Sequence, residues 1–523
     1  MRNQTYDVCI VGTGPAGLTL CNELVNSGKK ICLVESGSKD LNKKINGLKK
    51  IISIGEIKIK DNSRERVWGG TSNTWAGLSA PLDEIDFEKW PIKYSDLNKF
   101  YSQLDKYGYA KLSEFEISSF DEIKRKSDIT PIFENLQEKI FIAGDPPANY
   151  GKKFINFLDN KNVDVFLDST VIRLNKNDEG SIDSISVINP KKETTEIHSK
   201  KFIICTGGLE STRLLLISDI GNESNQVGKY LMNHPKNNFG ILELNGPVKK
   251  IPYLFGYLHS GFAKYAGLRI KEDIQRKNGL LNSYIRFEPM FPWTDSRGVY
   301  ALISLSKRAK TMLDWWKKSQ KGIVNLKDWN ETGDDNNSAS SDGHISIIQS
   351  LIFIISDLRA VFLYALNRLQ SKKEIKIKKI RIRNFMEMEP CKENEMTLSN
   401  ELDVHGNKIP IVNLNTTETD RRTLIELHKI FKAEVEKNNL GKYIGNLEHA
   451  SPWPINFEAS HHLGGTIMGI DEKKSVVDTN LKVHTTNNLY ICSGSVFPTS
   501  GCANPTYTIC ALAIRLAEHL KTI

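Results

Sequence analysis

The chain has no CxxC pair. Its eight cysteines, Cys9, Cys21, Cys32, Cys205, Cys391, Cys492, Cys502 and Cys510, are scattered. That absence excludes a redox dithiol, hence a disulfide reductase, and no metal is expected. Several cysteines lie in apolar runs such as Val8-Cys9-Ile10 and Ile31-Cys32-Leu33, where the side chain serves as a small hydrophobe. The pattern suits a reducing compartment. No secretory leader is expected either, because the short run Val8-Cys9-Ile10-Val11 leads straight into glycines, and a cytoplasmic location is the expectation. Charge of one sign is not in large excess: 71 basic against 62 acidic residues give +9 over 523 residues. With no zinc-finger, basic-zipper or RNP signature, nucleic acid is not an expected partner. No fixed-period repeat occurs. What remains is a composition of 39% hydrophobic and 25% charged residues, that of a soluble globular protein. The length exceeds one ordinary core and predicts two domains.

The first of these is legible at the start. Tyr6-Asp7-Val8-Cys9-Ile10-Val11 reads as a buried parallel strand. Gly12-Thr13-Gly14-Pro15-Ala16-Gly17 follows and opens a helix over Leu18–Ser27, and Lys30–Val34 forms a second strand ending at Glu35. Gly12 turns the chain, Gly14 admits a pyrophosphate to the backbone, and Gly17 lets helix and strand approach. The unpaired N–H groups at the helix start favour phosphate, and Glu35 is placed to accept from a ribose. The pattern predicts dinucleotide binding without separating FAD from NAD.

Arg66–Gly77 is a non-periodic loop rich in glycine, with Trp68 and Trp75 as flat apolar walls. Helical sequence surrounds Tyr94–Tyr107. Strands return over Val163–Leu174, where Val171 is set to edge an adenine ring, and over Lys201–Thr206, ending at Gly207-Gly208 before a helix at Glu210–Ser218. The dinucleotide fold is therefore interrupted by an insertion. His234 precedes Pro235, in extended backbone, and reads as structural. The predicted division is 1–90, 160–235 and 450–523 for the dinucleotide domain, against 91–159 and 236–449 for a substrate domain. Within the latter, strands are expected near Tyr284–Phe287, Val299–Ser304, Glu389–Ser399 and Ile409–Leu414, and an amphipathic helix over Thr419–Lys437.

Residues 331–383 stand apart. Glu331–Gly343 reads as a flexible loop. The run Ile345–Leu366 is about the length of a bilayer crossing, but Asp357 and Arg359 interrupt it and are costly there. Lys372–Arg383 is strongly basic. Two readings stand: an interfacial helix touching anionic lipid, peripheral on the inner face of the membrane, or a helix docked on the body and followed by an edge strand blunted by lysines.

Near the carboxy terminus, Ser460-His461-His462-Leu463-Gly464-Gly465-Thr466-Ile467-Met468-Gly469 brings a histidine pair to a glycine turn. Extended backbone points the two rings to opposite sides. Asn504-Pro505-Thr506 opens the final helix. Asn504 reads equally as that helix's N-cap, with Pro505 in its first turn, or as a group facing substrate.

Taken together, Gly12–Glu35, Gly69–Gly77, Gly207–Leu216, Gly228–Pro235, His462–Gly469 and Ser495–Thr508 resemble the glucose–methanol–choline (GMC) oxidoreductases, nearest the branch with pyranose oxidase and bacterial sugar or polyol dehydrogenases. The resemblance implies an α/β fold (α+β overall), an FAD-binding Rossmann-like domain interleaved with a substrate domain on an antiparallel sheet. It implies FAD, held by Gly12, Gly14, Pro15, Ala16, Gly17, Glu35, Gly69, Gly70, Thr71, Asn73, Thr74, Trp75, Val171, Gly207, Gly494, Ser495, Asn504, Pro505 and Thr506. Members with covalent flavin carry a histidine where Thr74 stands, so non-covalent FAD is expected. The family often has Asp where Ser493 stands.

The resemblance also implies oxidation of an alcohol by hydride transfer to the flavin, with a sugar or polyol as the small-molecule substrate. Its catalytic histidine, counted back from Gly465-Thr466, falls on His462 and the partner on Asn504; the residues themselves leave His461 as a contact either behind the base or with substrate. A histidine base suits this chemistry, because a hydroxyl proton must be taken as hydride leaves carbon. A dehydrogenase is expected over an oxidase, although no motif names the electron acceptor. A lyase or non-redox flavoprotein on the same fold is the alternative.

Overall fold

The computed structural model describes residues 5–523 except 41–46, 61–62, 255–256, 260, 307–345, 370–375, 456 and 459. Two large sheets divide the work. In the first, Thr5–Val11 lies between Ile31–Val34 and Thr194–Ile204, all parallel. Val163–Phe166 extends one edge. On the other side, the start of Thr194–Ile204 pairs antiparallel with Ile182–Ile188, and its end pairs parallel with Leu489–Ile491. Val8, Ile10, Ile31, Leu33, Ile203 and Ile204 have no solvent exposure, as strands covered on both faces require. The helix Pro15–Leu24 packs on the last helix, Thr506–Thr522, so both ends of the chain close one core.

The second sheet is antiparallel, ordered Gly441–Ile444, Ile241–Val248, Ile377–Phe385, Tyr284–Met290, Phe262–Ile270, Leu136–Gly144 and Leu78–Ser79. The helix Glu418–Lys437 covers it. Thr417 caps that helix by accepting from the Asp420 N–H at 3.2 Å, and Leu424, Leu427, Phe431 and Val435 face the sheet at helical spacing. Each of these buried apolar side chains contributes about 1.5–3 kcal/mol.

The fold class is the α/β arrangement expected from the sequence. Several elements differ from those expected. Residues 78–79 and 457–458 pair within the second sheet. The hairpin Glu395–Leu402 and Lys408–Asn413 pairs in parallel with Ile52–Ser53 and packs on the helix Gly208–Ser218. Residues 297–306 are helical, where alternation over Val299–Ser304 predicted a strand. Ile377–Phe385 is an interior strand bonded on both sides, not an edge, because its lysines alternate with buried Ile377, Ile380 and Ile382. The long apolar run is two helices, Ile347–Ser356 and Leu358–Leu369, at 90° to each other. Glu331–Gly343 lies outside the described residues.

Candidate active site

A cavity of about 970 Å³ runs between the two sheets, from Glu35 at one end to His461 and Asn504 at the other. That is the upper end of the range for small-molecule and cofactor sites. Its floor is glycine. Gly12 adopts φ +97°, and a Cβ there would meet the Cys205 carbonyl at 2.8 Å. Gly69 donates to the Thr13 carbonyl at 3.1 Å, which stacks the second glycine loop on the first. A Cβ on Gly70 would lie 2.9 Å from the Gly14 Cα, whereas a Cβ on Gly14 itself would meet nothing within 4 Å. Gly14 thus presents bare backbone to the cavity at the helix N-terminus, the geometry a pyrophosphate requires.

Glu35 is buried. One carboxylate oxygen accepts from the Thr13 N–H and hydroxyl at 3.0 and 2.7 Å, the other from the Gly37 N–H at 2.8 Å. Burial raises its pKa against these bonds. Ser169, Thr170 and Val171 continue the wall from Glu35. The donor set, glycine floor and acid at the second strand's end fit a dinucleotide such as FAD.

Of the residues assigned to the cofactor, Gly12, Gly14, Pro15, Ala16, Glu35, Gly70, Thr71, Thr74, Trp75, Val171, Gly207, Gly494, Asn504, Pro505 and Thr506 line this cavity. Four do not. Gly17 stands behind the loop, where a Cβ would meet the Gly12 carbonyl at 2.0 Å; Gly69 abuts the Gly151 backbone. Asn73 folds back to donate to the Trp68 and Gly70 carbonyls, each at 2.9 Å. Ser495 is fully buried, accepting from the Thr466 hydroxyl at 2.6 Å. These four brace the loops that the others expose.

The histidine pair is arranged differently from the expectation that His462 partners Asn504. The two rings do diverge, but His461, not His462, meets Asn504: the Asn504 amide nitrogen lies 3.2 Å from His461 Nε2. His462 Nε2 instead lies 2.9 Å from the Ser63 hydroxyl, and its carbonyl fills the space a Cβ on Gly208 would take, at 2.1 Å. The segment is threaded tightly. Gly464 and Gly465, at φ +73° and +98°, pass the Tyr230 carbonyl and the Thr212 hydroxyl at distances that exclude a side chain. Asn504 does not cap the final helix. That helix starts at Thr506 with Pro505 as its N-cap, so the Asn504 side chain faces His461.

His234, which the sequence marked as structural, completes this corner. Asn233 Oδ1 accepts from the backbone N–H of both His234 and His461, at 2.8 and 2.9 Å. The two rings stand edge-on at 87°, with Nδ1 to Nδ1 at 2.8 Å. His234 Nε2 lies 3.4 Å from the Ser500 carbonyl. A carbonyl only accepts, so His234 carries its proton on Nε2 and its Nδ1 is a lone pair. His461 must then donate from Nδ1, and its Nε2 is left as a lone pair toward Asn504 and the cavity.

Burial keeps all three rings neutral, His234 at about 4 and His462 at about 3, with His461 lowered further by its neighbours His234, Lys236 and His462.

The opposite wall comes from the second sheet. Tyr284 and Phe385 stack at 4.5 Å, while Lys236, Arg286 and Arg383 stand around the Phe385 ring. Register explains the grouping: Tyr284 pairs with Phe385, Arg286 with Arg383, and Lys236 with Phe385 from a third strand. Residues two apart in a strand share a face. Sequence reasoning missed this wall, and the only sequence signal was the alternation in Tyr284-Ile285-Arg286 and Arg383-Asn384-Phe385. It also missed the ion pairs of Arg64 and Arg66 with Glu210, at 2.7 and 2.9 Å.

Behind Asn504 lies a buried charge cluster. Lys139 and Arg269 face Asp83 at 2.7 and 3.5 Å, Asn282 bridges Asp83 to Asp86, and Glu387 accepts from the Gly501 N–H at 3.0 Å. Both cations face Asp83, and burial together with the neighbouring Asp86 charge raises Glu387 to about 8. The folded state therefore retains a proton that the unfolded chain releases above 4.5. That stabilisation is lost as pH rises towards 8. Near pH 6.5 the buried histidines give the opposite sign, because their unfolded rings still bind protons; above about pH 7.5 those rings are neutral in both states, so melting temperature should fall there, with a slope of up to about 1.4 kcal/mol per pH unit. Glu387→Gln should flatten that slope in thermal melts. An unchanged slope would place the proton elsewhere.

Residues 390–513 match the GMC oxidoreductase family model, and residues 6–237 match that of the pyridine nucleotide-disulphide oxidoreductases. The chain is 35% identical over 120 residues to a C-glycoside 3-oxidase from Microbacterium trichothecenolyticum, which is 23% of this chain and 22% of that one. It is 43% identical over 61 residues to the fructose dehydrogenase large subunit of Gluconobacter japonicus, 12% of this chain and 11% of that one. The matches thus span about a quarter or less of these curated relatives. A formate oxidase from Aspergillus oryzae, whose structure was determined to follow modification of its FAD, shares the fold end to end. Its TM-score is 0.56 at 16% identity, over 100% of this chain and 99% of that one. With the glycine-floored cavity built largely from the first half of the chain, residues 390–513 carry the carboxy-terminal domain of the GMC oxidoreductases.

Proposed function

We propose that the protein oxidises an alcohol group of a sugar-like substrate, with His461 as the base and non-covalent FAD as the hydride acceptor. The observation that carries this reading is the pair His461 Nε2 and Asn504 Nδ2, 3.2 Å apart in the wall of the glycine-floored cavity. A hydroxyl set between them would donate to the lone pair of Nε2 and accept from the amide. Bound FAD would supply the acceptor for the hydride leaving the same carbon. As the hydroxyl proton passes to Nε2, His234 Nδ1 continues to accept from His461 Nδ1–H, which holds the ring in place and stabilises its charge. Tyr284 and Phe385 offer an aromatic face for a sugar ring, and Lys236, Arg286 and Arg383 surround it with donors. A C-glycoside oxidase and a fructose dehydrogenase among the relatives agree with such a substrate. No histidine stands in the loop Gly69–Trp75, which supports non-covalent flavin.

The test is anaerobic titration of the flavin-loaded protein with a panel of sugars, sugar acids and polyols. At least one should bleach the oxidised flavin absorbance, and acid precipitation should leave the flavin in solution. If none bleaches it, the alcohol reading fails. Reduced flavin that persists in air but is reoxidised by a quinone marks the dehydrogenase proposed here; rapid reoxidation by oxygen marks an oxidase.

A further inference from the structure

The bent helix pair Ile347–Ser356 and Leu358–Leu369 has its apolar residues on the wrong side for a soluble protein. In an ordinary surface helix the apolar stripe faces the core. Here Ile348, Ile355, Leu358 and Phe362 are 60–71% exposed, and Ile347, Leu351, Ile352 and Leu369 are exposed beside them. On the first helix these fall at 347, 348, 351, 352 and 355, and on the second at 358, 362 and 369: one outward stripe on each.

The inward side is fixed by specific contacts. Asp357, at the bend, accepts from the Ser296 hydroxyl at 2.8 Å and the Gly298 N–H at 3.2 Å, which holds its carboxyl below the usual range. A Cβ on Gly298 would meet the Phe353 carbonyl at 2.6 Å and the Asp357 Cβ at 2.7 Å. Tyr364 packs edge-on against Trp293. The acid that made this run unfit to cross a bilayer is the one that clamps the bend to the body. The outward stripes are therefore presented by the fold rather than left over by it.

We propose that these two helices lie flat in the interface of an anionic lipid bilayer, docking the enzyme on the membrane surface. Among the described residues no single helix is long and apolar enough to cross a membrane. The two helices have 10 and 12 residues against the roughly 20 a span requires. Charge selects the partner. Apart from the clamped Asp357, residues 346–369 contain no acid, while Arg359 and Arg368 are exposed. Lys376, just before the strand Ile377–Phe385, and Lys378 on it are exposed too. An apolar stripe flanked by cations suits the acyl–headgroup boundary of an anionic leaflet. A second copy of the chain, meeting this face about a two-fold axis, would bring the same arginines against each other.

The proposal is independent of the alcohol reading, because its test needs no turnover. The flavin-loaded full chain is floated with phosphatidylcholine vesicles, with and without phosphatidylglycerol. The wild type should rise with the anionic vesicles. The triple variant Ile348→Glu, Ile355→Glu, Phe362→Glu alters only exposed side chains, so it should keep its flavin and its melting temperature while partitioning at least about tenfold less. Lys376→Glu with Lys378→Glu should each cost about fivefold at low salt and erase the preference for phosphatidylglycerol. Failure of the wild type to float with either vesicle overturns the proposal, as does equal flotation of the triple variant. A dimer that the triple variant dissolves, without vesicle binding, assigns the face to a second copy and overturns it equally.

Discussion

Replacing His461 by alanine is expected to lower kcat by about 10²–10⁴-fold, the usual range for loss of a general base. His462→Ala should stay within about tenfold and act mainly through flavin binding. The argument is geometric. Both rings line the cavity, but His461 Nε2 lies beside the Asn504 amide, whereas His462 Nε2 is paired with the Ser63 hydroxyl beside Arg64. Flavin reduction followed by stopped flow isolates the step, since His461→Ala should still bind flavin and reduce it slowly. The pH profile carries a sign. A base must be neutral to accept a proton, and burial with Lys236 nearby lowers the pKa of His461 well below 6.5. The rate should therefore hold as pH falls through 6.5 and decline only below it. An acid limb at or above 6.5, or a His462→Ala loss equal to that of His461→Ala, would reject His461 as the base.

Removing the acceptor behind His461 should be the second large effect. His234→Phe keeps an aromatic ring edge-on to His461 but removes the lone pair that fixes its tautomer. His461 could then carry its proton on Nε2 and present no lone pair to substrate. An imposed wrong tautomer costs about 10⁴-fold in the Ser-His-Asp triads. Here the tautomer is freed rather than imposed, so about 10–10²-fold in kcat is expected, with KM nearly unchanged. His234→Gln is the sharper comparison, because its Oε1 can accept from His461 Nδ1–H as His234 does and keep the tautomer; it should be faster than His234→Phe. Equal rates for the two would mean that His234 only packs.

Much of the fold could be read directly. The run Tyr6–Val11, the glycine loop and Glu35 are contiguous, and strand, turn and helix there are set by local chemistry: apolar residues for a covered strand, glycine at φ +97°, proline at a helix start. The helix over 418–437 was likewise evident from its own periodicity. The divergence of the two histidine rings followed from extended backbone. Which ring meets Asn504 did not, because a count along the chain carries no information about a residue more than forty positions away. The choice is made by Tyr230, Thr212 and Gly208, which lie more than two hundred residues away and leave the backbone one path. Local propensity could not distinguish the Asn504 cap from the Asn504 ligand either, since both need the same residue before the same proline.

By itself, then, the sequence determined the dinucleotide frame, the interleaving of a second domain and the short list of groups able to do the chemistry. These depend on contacts between residues near in sequence or on simple periodicity. Only the tertiary structure decided that His461 is the ring beside Asn504, that His234 sets its tautomer and that Tyr284, Phe385 and three cations form the facing wall. It also decided that Asp357 turns an apolar run into two outward-facing helices. Each of these rests on the register of strands or the packing of segments remote in sequence, and no local preference encodes that distance.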